Sequence, residues 1–284
     1  MDGEHRGGGR LVLVATPIGN LGDLSDRARR ELERADVIYC EDTRRTRVLL
    51  SAVGIPAGGR LRTLNDHTES EVAPEVLARV GAGEEVALVS DAGTPGVSDP
   101  GVRVVAAAAA AGLAITMAPG PSAPVMALVL SGLPTDRCVI EGFVPRRAGD
   151  RTRRIEEWRR ERRTIVALES PQRLAVTLEE IALLDPARRA AVCRELTKVH
   201  EEVRRGTVAE LAAWAAQGEV RGEVVLVLAG VSAPEASDEM VADALRERLA
   251  RGERVGEAAT AVASELGVPR RRAYEAALEL RREE

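Results

Sequence analysis

Lysine is almost missing from this chain. Of its 40 basic residues, all but Lys198 are arginine. A Walker-type phosphate loop needs a Gly-Lys pair, and none is present, which excludes the common nucleoside-triphosphate site. Histidine is nearly as scarce. His5, His67 and His200 stand far apart with no HxxxH spacing, which argues against a His-rich metal site, and no metal is expected. The three cysteines, Cys40, Cys138 and Cys193, form no CxxC pair. That excludes a disulfide scaffold and a Cys-based zinc site, and it suits a reducing compartment. Aromatic residues make up 2% of the sequence, too few for a row of base-stacking platforms. No GxGxxG follows a strand-like run, so the dinucleotide fingerprint is missing. Gly120-Pro121-Ser122 lacks the closing glycine of a GxSxG nucleophile elbow. The longest apolar stretch, Val102 to Ala114, is broken by Arg103 and Gly112 and falls short of the ~20 residues of a spanning helix. Residues 1–9 carry no apolar h-region and read as a short disordered lead, so a cytoplasmic protein without membrane attachment is expected.

What is present is ordinary globular material. The 284 residues are 45% hydrophobic and 30% charged, with 45 acidic against 40 basic side chains and a net charge of −5. Such a length suggests roughly two domains. From Arg10 onward, short apolar runs alternate with helix-length amphipathic segments. Strands are predicted at Leu11–Ala15, Val37–Cys40, Val86–Val89, Ile115–Met117, Val139–Glu141, Thr164–Leu168, Ala191–Cys193 and Val224–Ala229. Helices are predicted at Asp26–Arg34, Val102–Ala111 and Arg173–Leu184. This alternation predicts an α/β architecture with largely parallel strands. The turn Pro119-Gly120-Pro121 divides the series into an N-terminal α/β domain over residues 10–118 and a C-terminal α/β domain over residues 119–231. Ser232–Ser237 reads as a linker. The tail, residues 238–284, is helical throughout. Its Gly267-Val268-Pro269 turn before Arg270-Arg271-Arg272 is helix-turn-helix-like, and a helical hairpin packed on the domain or on a partner subunit fits equally.

Ligands of open α/β sheets bind at the carboxyl ends of strands. Six predicted strands end in Gly, Pro, small hydroxyl or charged residues: Thr16–Asp23, Glu41–Arg44, Ser90–Gly101, Pro119–Ala123, Glu169–Arg173 and Arg194–Lys198. One such loop needs only turn chemistry to explain it, but six together suggest a shared pocket. Gly93 and Gly120 let backbone approach a ligand closely. Asp91 and Glu169 offer charge to offset a sulfonium or ammonium group. The pattern suits a small, neutral-to-cationic organic cofactor.

The blocks ATPIGNLGDLSDRA, CEDTRRT, SDAGTPGVSDPG, PGPSA, SGLPTDR, EGFVPR, ESPQRL and RELTKVHEE occur in this order from about Leu11 to Gly230. Together they resemble the ribosomal RNA small subunit methyltransferase I family of the tetrapyrrole methylase superfamily. The resemblance implies a two-domain fold with S-adenosylmethionine in the cleft between the domains. It also implies 2′-O-methylation of a cytidine ribose in 16S rRNA of the small ribosomal subunit, commonly by a homodimer. On this resemblance Pro17, Gly19, Asp91, Gly93, Thr94, Pro95, Ser122 and Ala123 line the cofactor, with Leu168, Glu169 and Leu196 on the far side of the cleft. The chain departs from the family's usual blocks at Asn65-Asp66-His67-Thr68-Glu69, where a His-x-His-Asn-Glu run is common. It departs again at Leu168-Glu169-Ser170-Pro171-Gln172-Arg173, where Tyr-Glu-Ser-Pro-His-Arg is common.

Methyl transfer from a sulfonium is an in-line displacement, and a ribose hydroxyl needs help in losing its proton. Lys198, the one lysine, sits at a strand end beside Glu195, and a desolvated lysine can lose its proton where arginine cannot. Lys198 and Glu195 are therefore candidates for this work, with Asp91 the alternative base. His67 is a further candidate for the site. RNA contacts are expected from Arg44, with Arg45 and Arg47 nearby, from Arg146, Arg147 and Arg173, and from the segment Arg146–Arg163 as a whole. That segment holds nine arginines against four acidic residues. Arginine forks pair well with phosphate. A solvated helix face with internal ion pairs is the competing account. Three other functions compete: a methylase of corrin or other tetrapyrrole precursors, a non-catalytic nucleic-acid-binding regulator, and a sugar-phosphate or nucleotide hydrolase. The last would need a metal-binding cluster that the sequence does not assemble.

Overall fold

A computed structural model describes residues 8–231 and 237–283. Residues 1–7 of the expected lead, and all of the expected linker except Ser237, lie outside the described residues. After Gly230 the chain divides into two compact units. In chain order the first unit contains β1 (Arg10–Val14), α1 (Asp26–Arg34), β2 (Val37–Cys40), α2 (Thr43–Ala52), β3 (Leu61–Thr63), α3 (Glu69–Gly81), β4 (Glu85–Val89), α4 (Val102–Ala110) and β5 (Ala114–Ala118). It continues with α5 (Ala123–Ser131), β6 (Cys138–Phe143), α6 (Ala148–Trp158), β7 (Thr164–Glu169), α7 (Leu174–Leu184), β8 (Arg189–Arg194), β9 (Glu202–Thr207), α8 (Val208–Ala216) and β10 (Val224–Leu228).

The first sheet has the order β3-β2-β4-β1-β5 and every pair is parallel. Side chains of a strand alternate between faces, and here both faces are apolar. Leu11, Leu13, Val86 and Leu88 pack with Val76 and Val80 of α3 and Val104 of α4. Val12, Val14, Ala87 and Val89 pack with Leu32 of α1 and Leu50 of α2. Helices on both faces are what a parallel sheet requires. Local signals set the helix starts: the Ser25 hydroxyl accepts from the Ala28 N–H at 3.1 Å and opens α1, as an N-cap side chain does.

The second sheet has the order β6-β7-β10-β8-β9. Only β6 and β7 are parallel there, and the remaining three pairs are antiparallel. The expectation of largely parallel strands therefore holds for the first sheet and fails for the second. The cause is β9, which the sequence reading missed. Its sequence, EVRRGT, is charged because it is an edge strand, shielded by ion pairs of Glu202 with Arg194 and Arg204 and by Arg204 lying 4.6 Å over the Trp214 ring. Edge strands are commonly protected by charge in this way. Short β3 was missed as well, being another edge strand with only three residues.

Because β6, β7 and β8 run in one direction and β10 returns between β7 and β8, the ends of the first three strands lie beside the start of β10. One face of this sheet packs on α6, α7 and α8 through Ile155, Trp158, Leu178 and Leu211. The other face packs on Ala127 and Leu128 of α5, and Ile18 from the loop after β1 joins that cluster. α5 and Ile18 thus tie the two sheets together.

The second unit consists of α9 (Asp238–Ala250), α10 (Val255–Leu266) and α11 (Arg270–Glu283). These helices enclose a core of their own, with Val241, Leu245, Val262, Val268 and Ala273 buried. Gly267, in the left-handed conformation, ends α10. At the start of α11, Arg271 pairs with Glu275 and Arg272 with Asp238. Among the described residues no helix is long and apolar enough to cross a membrane.

Candidate active site

Three loops of the first sheet are stitched together at its carboxyl edge. Thr16, after β1, exchanges two backbone hydrogen bonds with Gly93, after β4, at 2.8 and 3.0 Å. The Thr16 hydroxyl donates to the Ser90 carbonyl at 3.2 Å, and the Thr94 hydroxyl donates to the Pro121 carbonyl, after β5, at 3.0 Å. Gly93 has φ +87°, a conformation that costs a side-chain-bearing residue free energy. A Cβ there would come within 3.3 Å of Ile18.

Above this edge, and facing the strand ends of the second sheet, lies a cavity of about 440 Å³. That size suits a small organic ligand. From the first sheet it is lined by Ile18, Glu41, Arg45, Asp91, Ala92, Gly93, Thr94, Val97 and Asp99, and from α5 by Ser122, Ala123 and Pro124. Phe143 at the end of β6, Leu168 to Pro171 after β7, and Gly222 to Val225 at the start of β10 complete it. Ser122 is the N-cap of α5 but its hydroxyl does not cap the helix, so it is available to a ligand. A second groove, of about 560 Å³, adjoins this cavity through the shared Arg45 and Asp91, and Pro17, Gly19, Leu21, Arg44 and Val48 line it.

The structure thus brings Asp91, Gly93, Thr94, Ser122, Ala123, Leu168 and Glu169 to one cavity, and Pro17, Gly19 and Arg44 to its neighbour. Pro95 is buried beneath the loop, and Leu196 is buried in the cluster between α5 and the second sheet. Neither lines the cavity.

The carboxylates at the cavity are not alike. The Glu169 side chain is fully buried; it pairs with Arg173 at 2.5 Å, accepts from the Thr177 hydroxyl at 2.6 Å and accepts the Ser170 N–H at 2.6 Å. Arg173, expected at the RNA, donates instead to the carbonyls of Val144 and Pro145 at 3.2 Å each. Glu223 is ion-paired with Lys198 at 3.1 Å, and Lys198 also pairs with Glu195 at 2.9 Å. Partial burial pulls the Lys198 pKa down, but the two carboxylates outweigh it and the net shift is upward. Glu195 is shifted down, chiefly by the backbone N–H of Glu223 and then by Lys198.

On the first-sheet side, Asp91 accepts the Asp42 N–H at 3.1 Å and pairs with Arg45 at 3.4 Å. Glu41 accepts the Asp91 N–H at 3.3 Å, and burial pushes its pKa up. Asp99 was missed in the sequence reading. Burial first, and then the neighbouring charges of Glu41, Asp91 and Asp66, push it up to about 7, against a hydrogen bond with Ser90. Its only sequence signal was membership of the SDAGTPGVSDPG block. His67 is exposed, in a turn capped by the Asn65 side chain. Among the described residues no group of three or more His, Cys, Asp or Glu side chains is arranged to hold a metal ion.

Most of the arginine-rich segment is spent internally. Arg151 pairs with Glu180, Arg153 with Asp150, Arg154 with Glu141 and Glu157, Arg159 with Glu156, and Arg163 with Glu161. Arg146 and Arg147, exposed on the loop that follows Phe143, have no ion pair among the described residues. Phe143 is itself 64% exposed. Arg44 pairs with Asp42 at 2.9 Å.

Residues 10–212 match the family model for tetrapyrrole (corrin/porphyrin) methylases. The chain is 48% identical over 277 residues to ribosomal RNA small subunit methyltransferase I of Mycobacterium tuberculosis (strain ATCC 25618 / H37Rv), covering 97% of this chain and 96% of that one. It is 42% identical over 276 residues to the protein of the same name from Escherichia coli O157:H7, covering 95% of each. Among solved structures it is similar to a diphthine synthase, with TM-score 0.61 and 18% identity over 78% of this chain and 90% of that one. It is also similar to a Thermus thermophilus uroporphyrin-III C-methyl transferase complexed with S-adenyl homocysteine, with TM-score 0.52 and 22% identity over 78% of this chain and 97% of that one. The joined loops and the cavity at the carboxyl ends of two sheets are therefore those of a known line of proteins: the chain belongs to the tetrapyrrole methylase family and, within it, to the ribosomal RNA small subunit methyltransferase I group.

Proposed function

We propose that the protein uses S-adenosylmethionine to methylate the ribose 2′-hydroxyl of a cytidine in 16S rRNA of the small ribosomal subunit. The observation that carries the reading is the cavity between the two sheets, bounded by the Asp91–Thr94 backbone on one side and on the other by Phe143, whose loop continues into Arg146 and Arg147, exposed and without an ion pair among the described residues. The names of the relatives at 42% and 48% identity point to ribosomal RNA rather than to a tetrapyrrole.

The donor, when bound, supplies an activated methyl group; the chain supplies position and charge. Gly93 and Thr94 offer backbone that a ligand can approach closely. Ser122 offers an unspent hydroxyl beside the N-terminus of α5. Ile18, Ala123, Leu168 and Val225 give apolar walls that exclude water. The cavity is acidic, which suits a cationic sulfonium. Pro17 and Gly19 shape the adjoining groove. Lys198 is assigned the role of an ammonium ion held between Glu195 and Glu223, fixing the start of β10. Arg173 is assigned to holding the Val144–Pro145 backbone, so that Arg146, Arg147 and Phe143 project toward RNA. Arg44 and Arg45 flank the opposite approach. Two copies of the chain pairing in the cytoplasm belong to the same reading, and sedimentation of the pure protein tests the pairing.

The decisive experiment incubates the protein with labelled donor and 30S particles that lack the modification, then maps ribose methylation. Label at one cytidine 2′-oxygen is expected. Label on a base, or none on rRNA while the demethylated donor binds in calorimetry, overturns the reading.

A further inference from the structure

We infer that Arg204 and Trp214 form a stacking platform for one unpaired base of the RNA, beside the nucleotide that is methylated. The inference rests on the functional reading above and adds a second point at which the RNA is held.

The sequence builds the platform at the corner between β9 and α8. Thr207 and Glu210 form a reciprocal capping box there, so the helix begins at the residue after the strand. Arg204 precedes Thr207 along the strand, and Trp214 follows it along the helix. At the usual rise of a strand and of a helix, each lies about 10 Å from the corner, and the two side chains meet. The Arg204 guanidinium lies 4.6 Å from the centre of the Trp214 ring, an attractive cation–π contact. Glu202, on the same strand, pairs with Arg204 and with Arg194 at 2.5 Å each and so holds the guanidinium in place over the indole.

Aromatic side chains are scarce here, too few for a row of platforms but enough for one. Of the two tryptophans, Trp158 is 2% exposed and belongs to the core, whereas Trp214 is half-buried. Trp214 lines a pocket of about 390 Å³ together with Arg194, Arg204, Gln217 and Arg221, a size that suits a base or a nucleoside. The charges of this pocket are spent on one another. Glu202 holds Arg194 and Arg204, and Glu219 holds Arg221 at 2.7 Å. What is left to offer is a flat guanidinium backed by a ring, and the Gln217 side-chain amide, which has no hydrogen-bond partner among the described residues. Bases stack on aromatic rings and on guanidinium planes, and an amide can both donate to and accept from a base edge. A phosphate, by contrast, would meet arginines that are already neutralised.

Placement ties the pocket to the reaction. Gln217 to Arg221 border it, and the residues that follow, Gly222 to Val225, line the cavity assigned to the donor. Two bonds stiffen this partition: Arg194 donates to the Arg221 carbonyl at 3.4 Å, and Glu195 accepts the Glu223 N–H at 3.0 Å. An RNA strand with its target ribose in the cavity therefore has a neighbouring base within reach of the platform.

The test measures binding of the protein to 30S particles that lack the modification, by co-sedimentation, separately from methyl transfer. Trp214→Leu should weaken binding about tenfold, while Trp214→Phe, which keeps a ring, should stay within about threefold of wild type. Arg204→Lys keeps the charge and loses the plane, so it should weaken binding by about fivefold. In all three the slope of log affinity against log salt should be unchanged, because no phosphate contact is lost. Affinity for S-adenosylhomocysteine and the single-turnover rate at saturating particles should also hold. Ultraviolet irradiation of the wild type on the particles should join the peptide containing Trp214 to a base of 16S rRNA. Should Trp214→Leu unfold early, Arg204→Lys, altered at an exposed side chain, still decides. Wild-type binding by Arg204→Lys overturns the proposal. So does a loss of binding that comes with lost donor affinity or a lowered urea midpoint in Arg204→Lys, which makes the pair structural, and so does a crosslink to a ribosomal protein instead of RNA. The expected pattern of binding in a protein that methylates no ribose overturns the functional reading and leaves the platform standing.

Discussion

The two walls of the cavity are built from similar residues and spend them differently. Along the second sheet every carboxylate that faces the cavity is matched: Glu169 to Arg173 and Glu223 to Lys198. Along the first sheet Glu41, Asp91 and Asp99 crowd one another with Arg45 as their only cation in the wall. Topology accounts for the contrast. The first sheet is parallel throughout, so each of its strands sends a loop to the same edge and their polar groups converge. In the second sheet two strands run the other way, and charged positions of neighbouring strands fall side by side and neutralise, as Arg194 and Glu202 do. One wall holds the architecture in place, and the other is left with charge to use. Paired and unpaired side chains at a shared site are thus to be tested differently.

The largest expected effect lies on the paired wall and concerns stability. Glu169→Gln removes one partner of a buried, hydrogen-bonded pair and leaves Arg173 unmatched, at a cost of about 3 kcal/mol. Urea unfolding should show it as a lowered midpoint. A variant that unfolds like wild type but loses turnover would place Glu169 at the chemistry and break the contrast. Next comes Gly93→Ala. The left-handed backbone and the nearby Ile18 side chain give a cost of roughly 1–2 kcal/mol. Because Gly93 belongs to the loop assigned to the donor, affinity for S-adenosylhomocysteine should fall about tenfold in calorimetry. Unchanged affinity would move the donor away from this loop.

Much of this was legible before any coordinates. The apolar runs that became β1, β2, β4, β7, β8 and β10 announce themselves because strands buried on both faces are nearly continuous in Val, Leu, Ile and Ala. The edge strands β3 and β9 carry no such run, whereas β5 and β6, also at sheet edges, keep enough apolar residues to be read. β9 reads as charge and β3 as loop, and with β9 went the antiparallel half of the second sheet. The loops of the site were visible as Gly-, Pro- and Ser-rich strand ends. What could not be read was which acidic side chain is neutralised by which arginine, since that depends on contacts between residues far apart in sequence. Arg173 pairs within its own loop, Asp91 finds Arg45 across two loops, and Asp99 meets the Ser90 hydroxyl but pairs with no cation among the described residues. Lys198 drew attention by its rarity, and its place between two carboxylates shows that rarity in composition does not measure reactivity.

Lys198 also gives a sharper test of the paired wall. If it serves as a fixed positive charge, Lys198→Arg keeps that charge and should hold kcat within about threefold, because arginine replaces an ammonium ion in an ion pair but cannot act as a neutral base. Lys198→Met should cost about 1 kcal/mol of stability, since the pair is partly exposed and solvent-screened. A hundredfold loss in Lys198→Arg with unchanged unfolding would return the lysine to the chemistry.

The smallest effect expected on the isolated protein is at the mouth of the cavity, where the same distinction between spent and unspent charge applies to arginine. Arg159 is ion-paired with Glu156, whereas Arg146 and Arg147 are exposed on the loop after Phe143 and have no ion pair among the described residues. Neutralising each of the latter to Gln should leave unfolding unchanged. If each neutralises one phosphate, each loss should flatten the dependence of log affinity for 30S particles on log salt by about 0.7–0.9. Arg159→Gln should leave that slope alone. Equal slopes for all three variants would mean that ion pairing within the protein does not decide which arginines reach RNA, and the division between the two walls would then say nothing about how the substrate is held.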